Sequence, residues 1–431
     1  MAKEKKKENL LLEEKLEQAL VPVEEQPYKV PENWCWTYLE NICEYMRAGG
    51  DKPKELSETK TKEFCIPVIA NGIQNDGIIG YTNIENEKEG TVTVSGRGTI
   101  GYAVFREYPY YPIVRLIVLS PIQKCVSGKY IKFIFDYLEE KGTGSSIPQL
   151  TVPAIKKKPV PLPPVKEQQR IVEQIESLFI KLDEAKEKIS KIEEEYLVRR
   201  IAILCNAFNG KLTESWRRKR GYSENIWIRK RFDEVAEIKC NLVNPNEYEY
   251  CPHIAPDNIE KRTGKLLDYK TIKEDRVTSG KHKFYSGQIL YSKIRPYLSK
   301  VVIADFDGLC SADMYPIEAK ENTKYLWYYM LSDDFLQQAS SAGSRSVLPK
   351  INQKELSAIY VNMTSREEQD EIVKILDKLM PVEEVMMDKI RQVNEQIALM
   401  KKSILAKAFR GELGTNNTEE ESAIELLKQI L

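Results

Sequence analysis

The chain contains an internal duplication. The phrase "LCNAFNGKL" (204–212) returns as "LAKAFRGEL" (405–413), at an offset of 201 residues. Residues upstream keep this offset without a gap: Gly142 aligns with Gly343, Pro148 with Pro349, Glu167 with Glu368, and Gln168 with Gln369. About a quarter of roughly 70 aligned positions are identical, so the fold must be built from two related parts.

Apolar residues follow a heptad rhythm ahead of each copy of the phrase. The first series is Ile171, Ile175, Leu178, Leu182, Ala185, Ile189, Ile192 and Tyr196, and the second is Ile372, Leu376, Leu379, Met386, Ile390, Val393, Ile397, Met400 and Ile404. This spacing predicts two helices of roughly 60 Å that pack on each other, with the antiparallel arrangement favoured. Gly210 and Gly411 predict the C-terminal caps. Pro381, just before Glu383 at a seam position, predicts a kink or break.

Each predicted helix follows a long segment, here called a block, whose residue pattern is β-like rather than helical. Residues 31–155 and 223–360 contain short β-like runs, such as "TVTVSG" and "SGQILYSKI", broken by Gly, Asn and Pro. The blocks open alike, with Trp34 opposite Trp227, but are otherwise dissimilar up to the shared helices. The predicted fold class is α+β: two β-rich α/β domains joined by two long antiparallel coiled-coil helices, with an internal pseudo-twofold repeat.

The predicted domain organisation has seven parts. They are an N-terminal helical arm (1–30), a first β-rich α/β domain (31–155), a first long helix (156–212), a linker (213–222), a second β-rich α/β domain (223–360), a second long helix (361–413) and a C-terminal helical tail (414–431). Short amphipathic helices are predicted at 8–20 and 418–431. The "WRRKRG" run (216–221) favours a solvated connector.

Charge and cysteine content limit the class of protein. Lys+Arg and Asp+Glu both number 65. A nucleic-acid binder usually has a basic excess, so any DNA contact needs clustered cations or a partner. The eight Cys include no C-x-x-C, and only two His are present, which fits a reducing cytosol and argues against zinc. The charged N-terminus and the lack of an 18-residue apolar run argue against secretion and membrane spanning, so we expect a cytoplasmic protein.

The order of these pieces resembles the specificity subunit of type I DNA restriction-modification systems. The resemblance rests on the "ENW"-type openings, "GTIGY", "ILYSKIRPYL", "VPLPPVKEQQRIV" before a long helix, and the closing phrases "AFNGKL" and "AFRGEL". It covers roughly residues 30–413. It implies that each block reads one half of a split, asymmetric duplex DNA target. It also implies that the helices set the spacing and dock two methyltransferase subunits carrying S-adenosylmethionine, and that a separate ATP-driven subunit performs restriction.

Polar loops of the first block supply candidate DNA contacts. "VSGRGTIGY" (94–102) and "ANGIQNDG" (70–77) carry donors that suit guanine, adenine or phosphate. The candidates are Asn71, Gln74, Asn75, Ser95, Arg97 and Thr99. Taken alone, the first loop fits a hairpin turn with a solvent-facing Arg equally well. The second, taken alone, fits a plain β-turn better.

A Gly/Ser-rich loop occurs in both copies, as "KGTGSSIPQL" (141–150) and "SAGSRSVLPKI" (341–351). Its small residues favour a DNA-backbone or hinge role over a turn, with candidates Thr143, Ser145, Ser146, Ser344, Arg345 and Ser346. In "YSKIRPYLSK" (291–300), strand alternation would place Tyr291, Lys293, Arg295 and Tyr297 on one face, with Lys300 nearby. This pattern suits a phosphate track. An exposed strand with ordinary surface lysines is the alternative.

Catalytic signatures are lacking. No GxxxxGK[ST] loop or [DN]-P-P-[FYW] motif occurs, and two His supply little acid/base chemistry. We therefore predict no catalysis, cofactor or metal on this chain. The competing hypothesis is a coiled-coil scaffold whose heads bind proteins, which the neutral charge favours. A concave basic face shared by both heads would indicate DNA.

Overall fold

The computed structural model describes residues 12–138, 149–222, 226–342 and 349–431. The chain forms two compact units. The N-terminal unit comprises residues 1–187 and 394–431, and the central unit comprises residues 188–393. Both units combine helices with short-stranded sheets, which confirms the α+β prediction.

Eleven α-helices lie in these described ranges. They are α1 (Leu12–Ala19), α2 (Gly128–Leu138), α3 (Val152–Lys156), α4 (Val165–Phe208), α5 (Glu214–Arg220), α6 (Phe232–Val235), α7 (Thr323–Met330), α8 (Asp333–Ala342), α9 (Gln353–Ser357), α10 (Arg366–Phe409) and α11 (Ala423–Ile430). The two long helices, α4 and α10, have 44 residues each. At 1.5 Å per residue each is about 66 Å long, close to the predicted length.

The long helices begin and end as their sequences predict. Each helix ends two residues before a left-handed glycine, with φ of 80° at Gly210 and 72° at Gly411. Of the expected kink or break in α10, the break does not occur, because the helix continues through Pro381. An interior proline costs about 3 kcal/mol. Buried Met380 and the buried Glu383, which accepts a hydrogen bond from Arg199, hold the helix together on both sides of it.

Within each unit the two long helices are antiparallel. In the N-terminal unit, Ile171 near the start of α4 shares a core with Phe409 at the end of α10. In the central unit, Leu204 near the end of α4 shares a core with Leu376 near the start of α10. The predicted seam is unevenly buried. Several of its members are more than a third exposed: Ile192, Leu379, Val393 and Met400.

The sheets of the N-terminal unit are built from nine strands. These are β1 (Cys35–Tyr38), β2 (Cys43–Ala48), β3 (Ile66–Ile69), β4 (Ile78–Thr82), β5 (Thr91–Ser95), β6 (Ala103–Arg106), β7 (Tyr111–Pro112), β8 (Leu116–Pro121) and β9 (Pro159–Leu162). The sheet orders are β2-β8-β5-β6, β4-β3-β7 and β1-β9. Strands β5 and β8 are buried along their whole length, and α2 packs on them to form the core.

The central unit contains the remaining strands. They are β10 (Ile228–Arg231), β11 (Ala236–Ile238), β12 (Leu242–Val243), β13 (Pro252–Ile254), β14 (Lys270–Thr271), β15 (Lys281–Phe284), β16 (Ile289–Ser292), β17 (Val301–Ile303), β18 (Gly308–Cys310), β19 (Met314–Ala319) and β20 (Tyr360–Met363). The sheet orders are β11-β19-β16-β17, β12-β15-β18-β13-β14 and β10-β20. Helices α7 and α8 cover the main core.

The junction between domain and helix is built the same way in both units. The opening strand of each domain pairs antiparallel with the strand that leads into the long helix, as β1 with β9 and β10 with β20. A Cβ atom on Gly411 would lie 3.6 Å from Cζ2 of Trp34, and one on Gly210 would lie 2.9 Å from Nε1 of Trp227. The repeated openings and closing phrases therefore contact each other.

A buried glutamate closes each junction, and we call this arrangement the carboxylate clamp. Glu167 accepts hydrogen bonds from Thr415 Oγ1 at 2.6 Å and from Arg170 Nη2 at 2.7 Å. Glu368 accepts a hydrogen bond from Thr213 Oγ1 at 2.5 Å and another from Arg217. Both glutamates are fully buried.

The linker differs from its prediction, because Thr213 and Arg217 belong to the carboxylate clamp. Residues 214–220 form α5 rather than a plain solvated connector, and the Arg217 side chain is largely buried in the clamp. The linker therefore contributes an ion pair to the folded core of the central unit.

Candidate nucleic-acid interface

Three loops of the N-terminal unit meet at one edge of its sheets: 70–77, 95–102 and 113–116. The side chain of Asn71 joins them, since its Oδ1 accepts a hydrogen bond from Gly96 N at 2.8 Å and its Nδ2 donates to Val114 O at 3.4 Å. Gly96 N also donates to Arg115 O at 3.0 Å. Both ends of the Asn71 amide are engaged within the protein, so we expect a positioning role for it rather than base reading.

Two arginines stand on these joined loops. Arg97 is half-buried, and Arg115 is exposed with a left-handed φ of 72°. Non-glycine residues rarely adopt this conformation. Within the described residues, neither guanidinium makes a hydrogen bond or an ion pair. Sequence reasoning missed Arg115, whose only signal is a basic residue inside the apolar run "YPIVRLIVL" (111–119).

The tip of the 70–77 loop presents Gln74 and Asn75 to solvent. Tyr102 Oη donates a 2.8 Å hydrogen bond to Asp76 Oδ1, and Arg106 Nη2 donates a 2.8 Å bond to Asp76 O. Burial, followed by the bond to Asp76, raises the pKa of Tyr102 to about 12, so its hydroxyl remains a donor at neutral pH. The hydrogen bonds to Asp76 therefore fix the loop tip, while the side-chain amides of Gln74 and Asn75 stay exposed.

Two other predicted contacts on this edge are less accessible. Ser95 ends β5, pairs with Leu116 and is buried. The prediction that Ser95 faces DNA is wrong in this geometry, because the strand pairing turns it into the protein. Thr99 is half-buried, and its hydroxyl has no hydrogen-bond partner among the described residues.

The predicted basic–aromatic face of residues 291–297 does not form. Strand β16 ends at Ser292, and Pro296 opens a 3-10 turn. Tyr291 is only 1% exposed and packs edge-to-face on Phe335, with ring centroids 5.7 Å apart. Proline cannot continue a hydrogen-bonded strand, and the Tyr291 ring belongs to the core. The expectation of one shared face is therefore wrong.

Beyond β16 the predicted residues divide into exposed and engaged groups. Arg295 is exposed with φ of 49°, and no ion pair of its guanidinium occurs in the described part of the chain; Tyr297 is also exposed. Lys293 donates to Ala312 O. Lys300 Nζ donates to Pro256 O at 2.7 Å. Arg295 and Tyr297 thus remain available for contact, while the two lysines are half-buried.

Both units build this edge from the same backbone hydrogen bonds. In the N-terminal unit, Gly96 N donates to Arg115 O at 3.0 Å and Leu150 N donates to Gly96 O at 2.8 Å. In the central unit, Lys293 N donates to Asp313 O at 3.0 Å and Ile351 N donates to Lys293 O at 2.9 Å. We call this arrangement the reading edge of each unit. The shared hydrogen bonds align "SGRG" (95–98) with "SKIR" (292–295). The sequences alone did not reveal this correspondence.

Most of each Gly/Ser-rich loop, residues 141–148 and 343–348, falls outside the described residues. This applies to six predicted contacts: Thr143, Ser145, Ser146, Ser344, Arg345 and Ser346. The described C-terminal ends of these loops do lie on the reading edges. Leu150 bonds to Gly96, and Pro349 O accepts a 2.7 Å hydrogen bond from Arg295 N.

Other kinds of site were sought in the same structure. Across residues 12–138, 149–222, 226–342 and 349–431, no group of three or more His, Cys, Asp or Glu is placed to hold a metal ion. In those ranges no helix combines the length and apolar character needed to cross a bilayer.

Comparison with known proteins gives one consistent family. The family model for the type I restriction modification DNA specificity domain matches residues 31–194 and 225–395. The chain is 42% identical over 297 residues to the type I restriction enzyme EcoDI specificity subunit of Escherichia coli, covering 64% of this chain and 67% of that protein. It is 23% identical over 428 residues to the EcoKI specificity subunit of Escherichia coli K12, covering 89% of this chain and 90% of that protein. A chain solved in a study of complex assembly and conformational transition in the type I R-M system has the same fold, with a TM-score of 0.64, 17% identity and coverage of 90% of this chain and all of that one.

Proposed function

Because the chain belongs to the family of type I restriction modification DNA specificity domains, we propose that it selects the DNA sequence on which a type I restriction-modification complex acts. Each α+β domain reads one half of a split, asymmetric duplex target. The half-sites lie about one helical turn apart, the usual spacing for two-headed readers. The chain itself performs no catalysis and needs no cofactor of its own.

The observation that carries this proposal is the reading edge, which has one backbone plan and two unlike sets of side chains. The N-terminal unit places Gly96, Arg97 and Arg115 there, and the central unit places Lys293 and Asp313 at the positions of Gly96 and Arg115. A fixed frame with different donors supports two heads that recognise different sequences. This is also why the target should be asymmetric.

The side chains on the N-terminal reading edge suit the DNA major groove. An arginine guanidinium matches the O6 and N7 acceptors of guanine, and a Gln or Asn amide matches adenine. Arg97, Arg115, Gln74 and Asn75 supply both kinds of group. A good bidentate pair contributes about 1–3 kcal/mol of discrimination against the wrong base. Arg295 is the corresponding candidate of the central unit.

The outer faces of the long helices support a docking role. Large apolar side chains outside the predicted seam are exposed on them in both units: Ile180 and Leu399 in the N-terminal unit, and Val198, Val382 and Val385 in the central unit. Exposed apolar surface of this kind marks interaction sites. We assign these faces to two methyltransferase subunits, which bring S-adenosylmethionine. The ATP-dependent restriction subunit joins through the resulting complex.

The test is the adenine methylation pattern of DNA from cells that express this chain with its neighbouring methyltransferase subunit. We expect a split, asymmetric methylated motif that vanishes when this chain is omitted. Replacing residues 223–360 with the matching block of a relative should change only one half of the motif. Methylation that is absent, or unchanged without this chain, would favour the protein-binding scaffold instead.

Single substitutions sharpen this assignment. Arg97→Ala and Arg115→Ala should relax positions in one half of the motif, and Arg295→Ala should relax positions in the other half only. Arg276→Ala is the matched control for Arg295→Ala, because Arg276 is also exposed and left-handed, with φ of 52°. A change at the same motif positions for Arg276→Ala would contradict the role given to Arg295.

A further inference from the structure

Three lysines of the central unit gather around a single carboxylate. Lys350 Nζ lies 3.2 Å from Asp313 Oδ1, and Lys293 Nζ lies 3.9 Å from the same atom. Lys281 is close enough for the Asp313 carboxylate to raise its pKa against the larger, lowering effect of burial. We call these four residues the lysine pocket. Two ammonium groups at one carboxylate, with a third near enough to interact with it, give the pocket an excess of positive charge.

The excess charge is held in partly desolvated surroundings. Lys281 is only 6% exposed, and the Lys293 side chain is 15% exposed. Their remaining hydrogen bonds go to uncharged acceptors: Lys281 Nζ donates to Ser279 Oγ at 2.7 Å, and Lys293 Nζ donates to Ala312 O. Within the part of the chain that the structure describes, Asp313 is the only carboxylate ion-paired with Lys293 or Lys350.

Burial disfavours the charged forms of Lys281 and Lys293 by lowering their pKa values, and the Asp313 carboxylate offsets this only in part. Burial lowers the pKa of Lys293, and the neighbouring Lys350 lowers it further. Burial also lowers the pKa of His282, with a further contribution from Lys293. Like charges in a partly buried site repel each other and carry a desolvation cost. A bound anion would relieve both effects.

The lysine pocket adjoins the reading edge of the central unit. Lys293 N donates to Asp313 O, and Ile351 N donates to Lys293 O, so three pocket segments meet at the shared junction. Lysine binds phosphate as a compact point charge. We propose that the lysine pocket binds one phosphate of the DNA backbone and so fixes the position of the central unit on its half-site. This inference rests on the proposed DNA-reading function.

Asp313 takes a defined part in this proposal. Its carboxylate holds Lys293 and Lys350 together while the pocket is empty, and it competes with the incoming phosphate. Removing its charge should therefore strengthen DNA binding, whereas removing a lysine should weaken it. These opposite signs separate anion binding from a purely structural cluster, in which both changes would only destabilise the fold.

The experiment measures binding of fluorescent duplexes to the full chain across a series of salt concentrations, on the mapped target and on an unrelated sequence. Lys350→Gln should weaken binding to both duplexes and reduce the slope of log K against log salt by about 0.9, the loss of one phosphate contact. Asp313→Asn should tighten binding to both. Lys324→Gln is the matched control, since the side chain of Lys324 is 53% exposed and pairs with Asp377, compared with 48% for that of Lys350.

Three results would contradict the proposal that the lysine pocket binds a DNA phosphate. One is that Lys350→Gln behaves like Lys324→Gln while the native chain still prefers its target. Another is that Asp313→Asn weakens binding without a change in thermal midpoint. In the third, inorganic phosphate raises the thermal midpoint of the native chain but not that of Lys350→Gln, while Lys350→Gln keeps full DNA affinity, which makes the pocket a free-anion site. A native chain with no preference for the mapped target would instead overturn the proposed function itself.

Discussion

Removing the carboxylate of Glu368 should destabilise the central unit strongly. The fully buried Glu368 carboxylate accepts hydrogen bonds from Thr213 Oγ1 and Thr364 Oγ1, both at 2.5 Å, and pairs with Arg217. The Arg217 side chain is only 11% exposed. Glu368→Ala therefore leaves a buried cation without its counter-ion and two hydroxyls without this acceptor.

The size of the effect follows from these contacts. Breaking a buried ion pair by removing one partner costs about 3–5 kcal/mol. Arg217 keeps two other acceptors, Gly210 O at 2.7 Å and Thr213 Oγ1 at 3.0 Å, so we expect the lower part of this range. With a urea m-value of about 2–3 kcal/mol/M, the unfolding midpoint should fall by about 1–2 M.

The assay is urea unfolding of the full chain followed by tryptophan fluorescence. Trp216 and Trp227 lie at this junction and report on it. Glu367→Ala is the matched control, because Glu367 is exposed in the same first turn of α10 and loses the same favourable charge at the helix N-terminus. Its midpoint should stay close to that of the native chain.

Two outcomes would refute the reasoning. If Glu368→Ala and Glu367→Ala shift the midpoint equally, the clamp contributes no more than a surface charge. The double variant Glu368→Leu with Arg217→Met replaces both charges by apolar groups and should recover much of the loss. A double variant as unstable as Glu368→Ala would show that the loss comes from packing rather than from an orphaned charge.

Further predictions concern the other unit. Gly411→Ala should cost well over 1 kcal/mol, since φ is 72° and the new Cβ would lie 2.3 Å from Pro31, whereas Gly414→Ala, with φ of 74° and open space, should cost only about 1 kcal/mol of strain in urea unfolding. The hydrogen bond from Arg170 lowers the pKa of Glu420 below its ordinary 4.5. Its contribution to docking of the C-terminal tail is therefore complete above pH 4.5 and is lost as the pH falls through the folded-state pKa, which hydrogen exchange of the tail will measure. Asn71→Ala should accelerate hydrogen exchange in the two loops that its amide bridges, without a change in global midpoint.

The sequence predicted features that depend on local chemistry. Heptad spacing and the capping glycines Gly210 and Gly411 gave the long helices and their ends, because both act within a few residues. The break at Pro381 was a wrong prediction for the opposite reason. The packing that holds α10 together there involves Arg199, which lies far away in the chain.

Burial and backbone pairing were harder to read from the sequence. The pattern "YSKIRPYLSK" alternates like an exposed strand, yet Tyr291 belongs to the core and the strand ends at Ser292. The two reading edges share only main-chain hydrogen bonds, which leave no trace in residue identity. The repeated Glu167 and Glu368 were visible as a duplication, but their clamps depend on partners supplied by the segments after each helix.

The exposed apolar side chains of the long helices have a consequence for synthesis. Leu399 is 64% exposed and Val198 is 66% exposed. Water-exposed groups of this kind favour self-association whenever nothing covers them. If the proposed methyltransferase subunits cover these side chains, a cell that makes more of this chain than of those subunits would accumulate a species prone to aggregation and proteolysis. The recombinant yield of soluble chain should therefore rise when the proposed methyltransferase subunits are made in the same cell.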